Sequence, residues 1–190
     1  MKPKLYFSRD EMFNINRDTL LERGVSIDDI TIIAYNQQKR YYENVDYAVC
    51  KESVEKILSL RDIFHLLQLG AEIDRLAEEG LFKGPIQDII RYDLGVFGVD
   101  EIFGLDIARL YGAIGQTNFG DIDVNKPGIV ERLNEDGKGD KESCNTFLDD
   151  IVLIFTLCVN DNNFVNFTNF AKFRNGLVYY GNAETLWEGT

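Results

Sequence analysis

Acidic pairs set inside apolar stretches are the residues of this chain whose type and spacing suit chemistry. Asp100 and Glu101 stand at the start of one apolar run, and Asp149 and Asp150 lie between Phe147-Leu148 and Ile151-Val152. Glu72/Asp74 and Asp121/Asp123 repeat the pattern in more polar surroundings. Carboxylate oxygens are hard donors, and Mg²⁺ takes one or two of them together with substrate phosphate. A cation held this way polarises a phosphoryl oxygen or generates a hydroxide nucleophile.

Each pair also has a purely structural role open to it. Asp100 and Glu101 suit the first turn of a helix, where the dipole favours acids. Thr146 and Asp149 have capping-box spacing, with Asp in place of the usual Glu; that explains Asp149 but not Asp150. Asp121 and Asp123 fall in a Gly-containing stretch that reads as a loop, where Asp is by default a turn former. Asn118 and Lys126 lie in the same region, and Lys126 reads either as a cation for a phosphate or as a solvated loop lysine.

Other chemistries find little support. His65 is the single histidine and sits mid-helix in the pattern, which suits a partly buried structural residue. No GxSxG, HExxH, P-loop or GxGxxG pattern occurs in a fitting context. Cys50, Cys144 and Cys158 are widely spaced and form no CxxC pair, so a zinc ribbon is not expected and a reducing, cytoplasmic setting is. The net charge of −12 opposes nucleic-acid binding and tight attachment to an anionic membrane. The run near 151–159 falls short of the ~20 apolar residues a spanning helix needs, and 1–11 carries no signal-peptide core. Peripheral contact is the most that membrane association is expected to reach.

The elements that must position these acids read as helices. With 190 residues and 45% hydrophobic content the chain can build one core. Residues 1–16 read as an irregular arm, followed by a short helix over 17–22 closed by Gly24. Ser26 and Asp29 form a capping pattern ahead of a helix carrying Ile30, Ile33 and Ala34, and Asp46 caps the next, with Val54, Ile57 and Leu58 inward. Residues 62–79 repeat apolar positions at three and four, with Gly80 as the stop. Pro85 starts another helix, and Pro127 a short one over 127–134. Residues 135–142 read as a polar loop, and TFLDDIVLIF as the last clear helix. Over 99–114 the apolar positions cover nearly the whole circumference, which predicts a buried central helix. Gly104 within it is tolerated if close packing compensates. No alternating strand is found. The expectation is an all-α, multihelical single domain with one central buried helix surrounded by others. Its parts are an arm over 1–16, a helical domain over 17–159 and an Asn/Phe-rich tail over 160–190.

The blocks LLERGVSIDDI, EIDRLAEEG, GVDEIFGL, YGAIGQTNFGDID, KPGIVERLN and TFLDDIV resemble, in order, the soluble phosphatidylglycerophosphatase A-like proteins of Gram-positive bacteria. The resemblance covers roughly residues 20–152. It implies a helical domain and a Mg²⁺-dependent phosphatase acting on a phosphate monoester, with phosphatidylglycerophosphate, lipid metabolism and cold tolerance as the context. By residue, it implies metal ligation by Asp100, Glu101, Asp149 and Asp150, catalysis by Asp100 and Asp150, and substrate binding by Asn118, Asp123 and Lys126. Asn145, where relatives often carry His, and the lack of spanning segments keep a second reading open. That reading is a non-catalytic binding or regulatory protein on the same scaffold, possibly a homo-oligomer.

Overall fold

The computed structural model describes residues 6–40, 43–95, 98–110, 112–136 and 143–155. Cys158, most of the expected polar loop and the 160–190 tail lie outside them, as do the side chains of 110, 112–114 and 117. The described residues form helices and no strand: α1 Arg9–Glu22, α2 Ile27–Gln38, α3 Tyr47–Leu58, α4 Arg61–Glu78, α5 Ile86–Arg91, α6 Asp100–Leu110, α7 Gly112–Asn125, α8 Ile129–Asp136 and α9 Leu148–Phe155. The all-α expectation holds. None of these helices is long and apolar enough to cross a membrane.

Local chemistry explains most of the boundaries. Ser26 and Asp29 form the expected capping box at α2, and Asp46 accepts the Ala48 N–H at 2.8 Å to open α3. The arm over 1–16 is a correction: α1 begins at Arg9, because Ser8 and Glu11 satisfy each other's backbone N–H groups in a full capping box. Its buried Met12, Asn16 and Leu20 face the core, and Asn16 donates to the Leu58 carbonyl at 2.8 Å.

A central buried helix exists, but it is α9 rather than the stretch 99–114. All eight residues of α9 are buried, and it packs against α2, α3, α4, α6, α7 and α8. The stretch 99–114 is instead divided between α6 and α7. Val99 and Ile102 are about half exposed, while Ile107 and Ala108 face inward. Each fully buried Leu, Ile, Val or Phe of α9 contributes about 1.5–3 kcal/mol. Two glycines let the neighbours come close. A Cβ at Gly70 of α4 would collide with Ile151 Cδ1, and one at Gly104 of α6 would lie 3.0 Å from Ile154 Cδ1.

The stretch expected as a loop around Asp121 and Asp123 is also corrected: it is the second half of α7. Its glycines weaken the helix, but Gly115, Phe119 and Ile122 fall on one side and are buried, so packing overrides propensity. His65 is exposed rather than partly buried, its ring 5.9 Å from that of Phe64.

Candidate metal centre

Two helix N-termini meet at the site. Asp100 and Glu101 occupy the first turn of α6, and Asp149 and Asp150 the first turn of α9. Both dipoles favour negative charge there. The crossing is tight at Gly104, where a Cβ would come within 3.2 Å of the Asp150 carbonyl oxygen.

The α9 end is held from α4, not by its own sequence. The expected Thr146–Asp149 capping box does not form: the Thr146 hydroxyl donates to the Ile90 carbonyl at 2.7 Å. Asp74 takes over, accepting the N–H groups of Phe147 at 3.1 Å and Leu148 at 3.0 Å. Asp74 is fully buried, although its sequence neighbours form a solvated face. Burial pushes its carboxyl well up, and the two backbone donors pull it back.

Asp100, Glu101 and Asp150 converge. One carboxylate oxygen from each lies within 4.8 Å of the others. Asp100 Oδ1 and Glu101 Oε2 are buried with no hydrogen-bond partner. Buried acceptors are normally satisfied, and exceptions call for an explanation such as an ion. Burial raises the Asp100 carboxyl, and the Glu101 carboxyl beside it raises it further. Asp150 is raised by burial and then by Asp149. Three converging hard oxygens, two of them without a hydrogen-bond partner, fit a divalent cation such as Mg²⁺.

Asp149, expected among the ligands, has its carboxylate against Lys126. Its Oδ1 accepts the Asp150 N–H at 2.9 Å, and its Oδ2 lies 3.2 Å from Lys126 Nζ. Lys126 also pairs with Asp123 Oδ1 at 3.3 Å. Lys126 sits just past α7 with φ +35, a conformation that favours glycine and costs a non-glycine residue on the order of 1 kcal/mol. Asn118 lies half-buried within α7. Asp121 pairs with Arg40 at 2.8 Å and Glu72 with Arg75 at 2.6 Å, so neither joins the centre. Asp74, paired with Glu72 as a candidate acid from the sequence, serves instead as the cap of α9; the sequence does not show that role because the groups it caps are far along the chain.

A cavity of about 360 Å³ elsewhere is lined by Arg23, Glu78, Arg132 and Asp136. Its cations are already used: Arg23 pairs with Glu78, and Arg132 donates to the Gly24 carbonyl at 2.8 Å.

The Phosphatidylglycerophosphatase A family profile matches residues 44–159. The chain is 42% identical over 146 residues to the uncharacterized protein YpjQ of Bacillus subtilis (strain 168), covering 77% of this chain and 80% of that one. It is 39% identical over 136 residues to the uncharacterized protein YutG of the same strain, covering 72% and 80%. The crystal structure of low temperature requirement C protein from Listeria monocytogenes superposes with a TM-score of 0.74 at 37% identity, covering 84% of this chain and 97% of that one.

Proposed function

The chain belongs to the phosphatidylglycerophosphatase A family, and we propose that it is a Mg²⁺-dependent phosphatase that hydrolyses a phosphate monoester, with phosphatidylglycerophosphate as the lipid substrate. The observation that carries this reading is the convergence of Asp100, Glu101 and Asp150 around two buried oxygens that lack hydrogen-bond partners.

In this reading Asp100, Glu101 and Asp150 hold the cation. The cation supplies Lewis acidity toward a phosphoryl oxygen and toward water. The remaining work belongs to the chain. Asp100 and Asp150 each offer the cation one oxygen, and the other oxygen of each is assigned to take a proton from the attacking water or to return one to the leaving alcohol. Lys126 brings positive charge beside them for the phosphate, with Asp123 fixing its position and Asn118 on the same helix as a further polar contact. The low-temperature requirement in the name of the Listeria relative suggests a role for the same activity in growth in the cold.

A test measures phosphate release from phosphatidylglycerophosphate and from a panel of soluble monoesters, with Mg²⁺ or with EDTA, for wild type and Asp100→Asn. Turnover that needs Mg²⁺ and disappears in the variant is the expected result. No turnover on any substrate, with both proteins folded, overturns the reading. One observation favours the alternative of a non-catalytic binding protein: Lys126 is already paired with two carboxylates. That alternative predicts metal binding without hydrolysis.

A further inference from the structure

We propose that the ammonium of Lys126 is the built-in second cation of this site, so that the acidic centre takes one divalent ion and a side chain of the protein stands where a second would be. The inference rests on the phosphatase reading for the Asp100–Glu101–Asp150 trio and goes beyond it by assigning Asp149 and Asp123. Phosphoryl-transfer sites that use two metals place them about 3.5–4 Å apart as a clamp on the reacting phosphate. Here the carboxylates fall into two sets, and only one of them lacks a cation.

The first set, Asp100, Glu101 and Asp150, includes the two partnerless buried oxygens. The second set, Asp149 and Asp123, is already bound to Lys126 at 3.2 and 3.3 Å. Asp149 and Asp150 are neighbours in one helix, and neighbours project about 100° apart. That angle lets one turn of α9 serve both cations. Both oxygens of Asp149 are engaged, one by the Asp150 N–H and one by the ammonium. Asp149 is therefore a positioning residue for Lys126 rather than a ligand.

The chain places Lys126 with care. It stands at the C-terminal end of α7, where the dipole favours a cation. It takes a left-handed φ of +35 at a position that glycine usually fills, which keeps a long basic side chain at the site. An ammonium has three N–H donors. One is donated to Asp149, and the contact with Asp123 is an ion pair rather than a hydrogen bond, so the ammonium keeps donor capacity for a phosphoryl oxygen.

The test is a Mn²⁺ titration of the full chain, followed by calorimetry and by the electron paramagnetic resonance signal of free Mn²⁺. Wild type and Lys126→Arg are expected to bind one Mn²⁺ per chain. Lys126→Met is expected to bind a second Mn²⁺, or to bind the first at least about tenfold more tightly because a repelling charge is gone. Asp149→Asn is expected to keep Mn²⁺ affinity within about threefold of wild type, while Asp150→Asn loses at least about tenfold. Two Mn²⁺ in wild type, an unchanged titration for folded Lys126→Met, or equal losses for Asp149→Asn and Asp150→Asn overturns the proposal. Two Mn²⁺ with turnover would leave the phosphatase reading standing, whereas no Mn²⁺ binding at all would remove both. The Lys126→Arg and Asp149→Asn arms decide the matter if Lys126→Met fails to fold.

Discussion

Gly104 on α6 lies directly against the backbone of Asp150 on α9: a Cβ at residue 104 would sit 3.2 Å from the Asp150 carbonyl oxygen and 2.7 Å from the ring of Phe119. The phenyl ring can rotate, but the carbonyl belongs to the first turn of a fully buried helix. Gly104→Ala gains about 1 kcal/mol of helix propensity and loses about 1–3 kcal/mol to overpacking. The expected net result is a small loss of stability and a clear loss of metal affinity, since α6 carries Asp100 and Glu101 away from Asp150. Urea unfolding and Mn²⁺ titration check the two effects separately. An unchanged Mn²⁺ affinity would show that the close approach does not set the site.

Asp74 holds the other side of the same helix end. Asp74→Ala leaves the buried N–H groups of Phe147 and Leu148 without their acceptor. An unsatisfied buried donor costs about 1–3 kcal/mol, so a total loss of about 2–4 kcal/mol is expected in urea unfolding, with an unchanged m value. Asp74→Asn keeps an acceptor oxygen and should recover most of the loss. A cost below about 1 kcal/mol for Asp74→Ala would mean that α9 starts without this cap.

These two contacts show what could and could not be read from the chain. The caps at Ser26 and Asp46 lie within three residues of the groups they satisfy, so the sequence displays them. The Ser8–Glu11 box was equally local, but the α1 that follows is weakly amphipathic and its charged start reads as an arm. α7 was hidden by its glycines; its helical state depends on Phe119 and Ile122 docking, and in sequence only weak propensity is visible. Asp74 looks like one more acid on a solvated face, because its partners are 73 and 74 residues away. The acidic pairs were legible as types, and Asp100, Glu101 and Asp150 do meet. That Asp149 faces Lys126 while Asp150 turns toward Asp100 and Glu101 depends on helix phase and on where Lys126 lies, which no spacing states. α9 itself spans only eight residues, too few for a periodicity to separate a central helix from an amphipathic one.

The metal trio also makes a pH prediction. Burial and neighbouring carboxylates raise Asp100 and Asp150 above the ordinary carboxylate value of ~4. Between that value and the raised one, the folded metal-free chain binds more protons than the unfolded chain, so its stability falls as pH rises. A divalent ion competes for the same oxygens, so its stabilising effect grows over the same interval. Melting temperatures measured from about pH 5 to about pH 9 should fall in EDTA and diverge upward with Mg²⁺. A metal-free melting temperature that climbs steadily through neutrality would contradict the raised carboxyls.

Asp150→Asn separates what the site contributes to function from what it contributes to stability. At neutral pH and above, wild type without metal must either ionise a buried carboxyl beside Asp149 and Asp100 or hold a proton there. The amide removes that choice and keeps nearly the same volume. The variant without metal should therefore be more stable than wild type by on the order of 1 kcal/mol, within the usual range for relieving a strained functional site. The sign follows from the raised carboxyl: the gain is largest above neutrality, fades as pH falls toward ~4, and vanishes only well below it, where both states of the wild-type residue are protonated. With Mg²⁺ the order should reverse, because the variant has lost a ligand and gains little from the ion. Thermal unfolding of both proteins, with and without Mg²⁺ at two pH values, reads all four corners. If Asp150→Asn is destabilised without metal above neutrality, Asp150 is there to hold the fold, and the cation assigned to the trio has no claim on it.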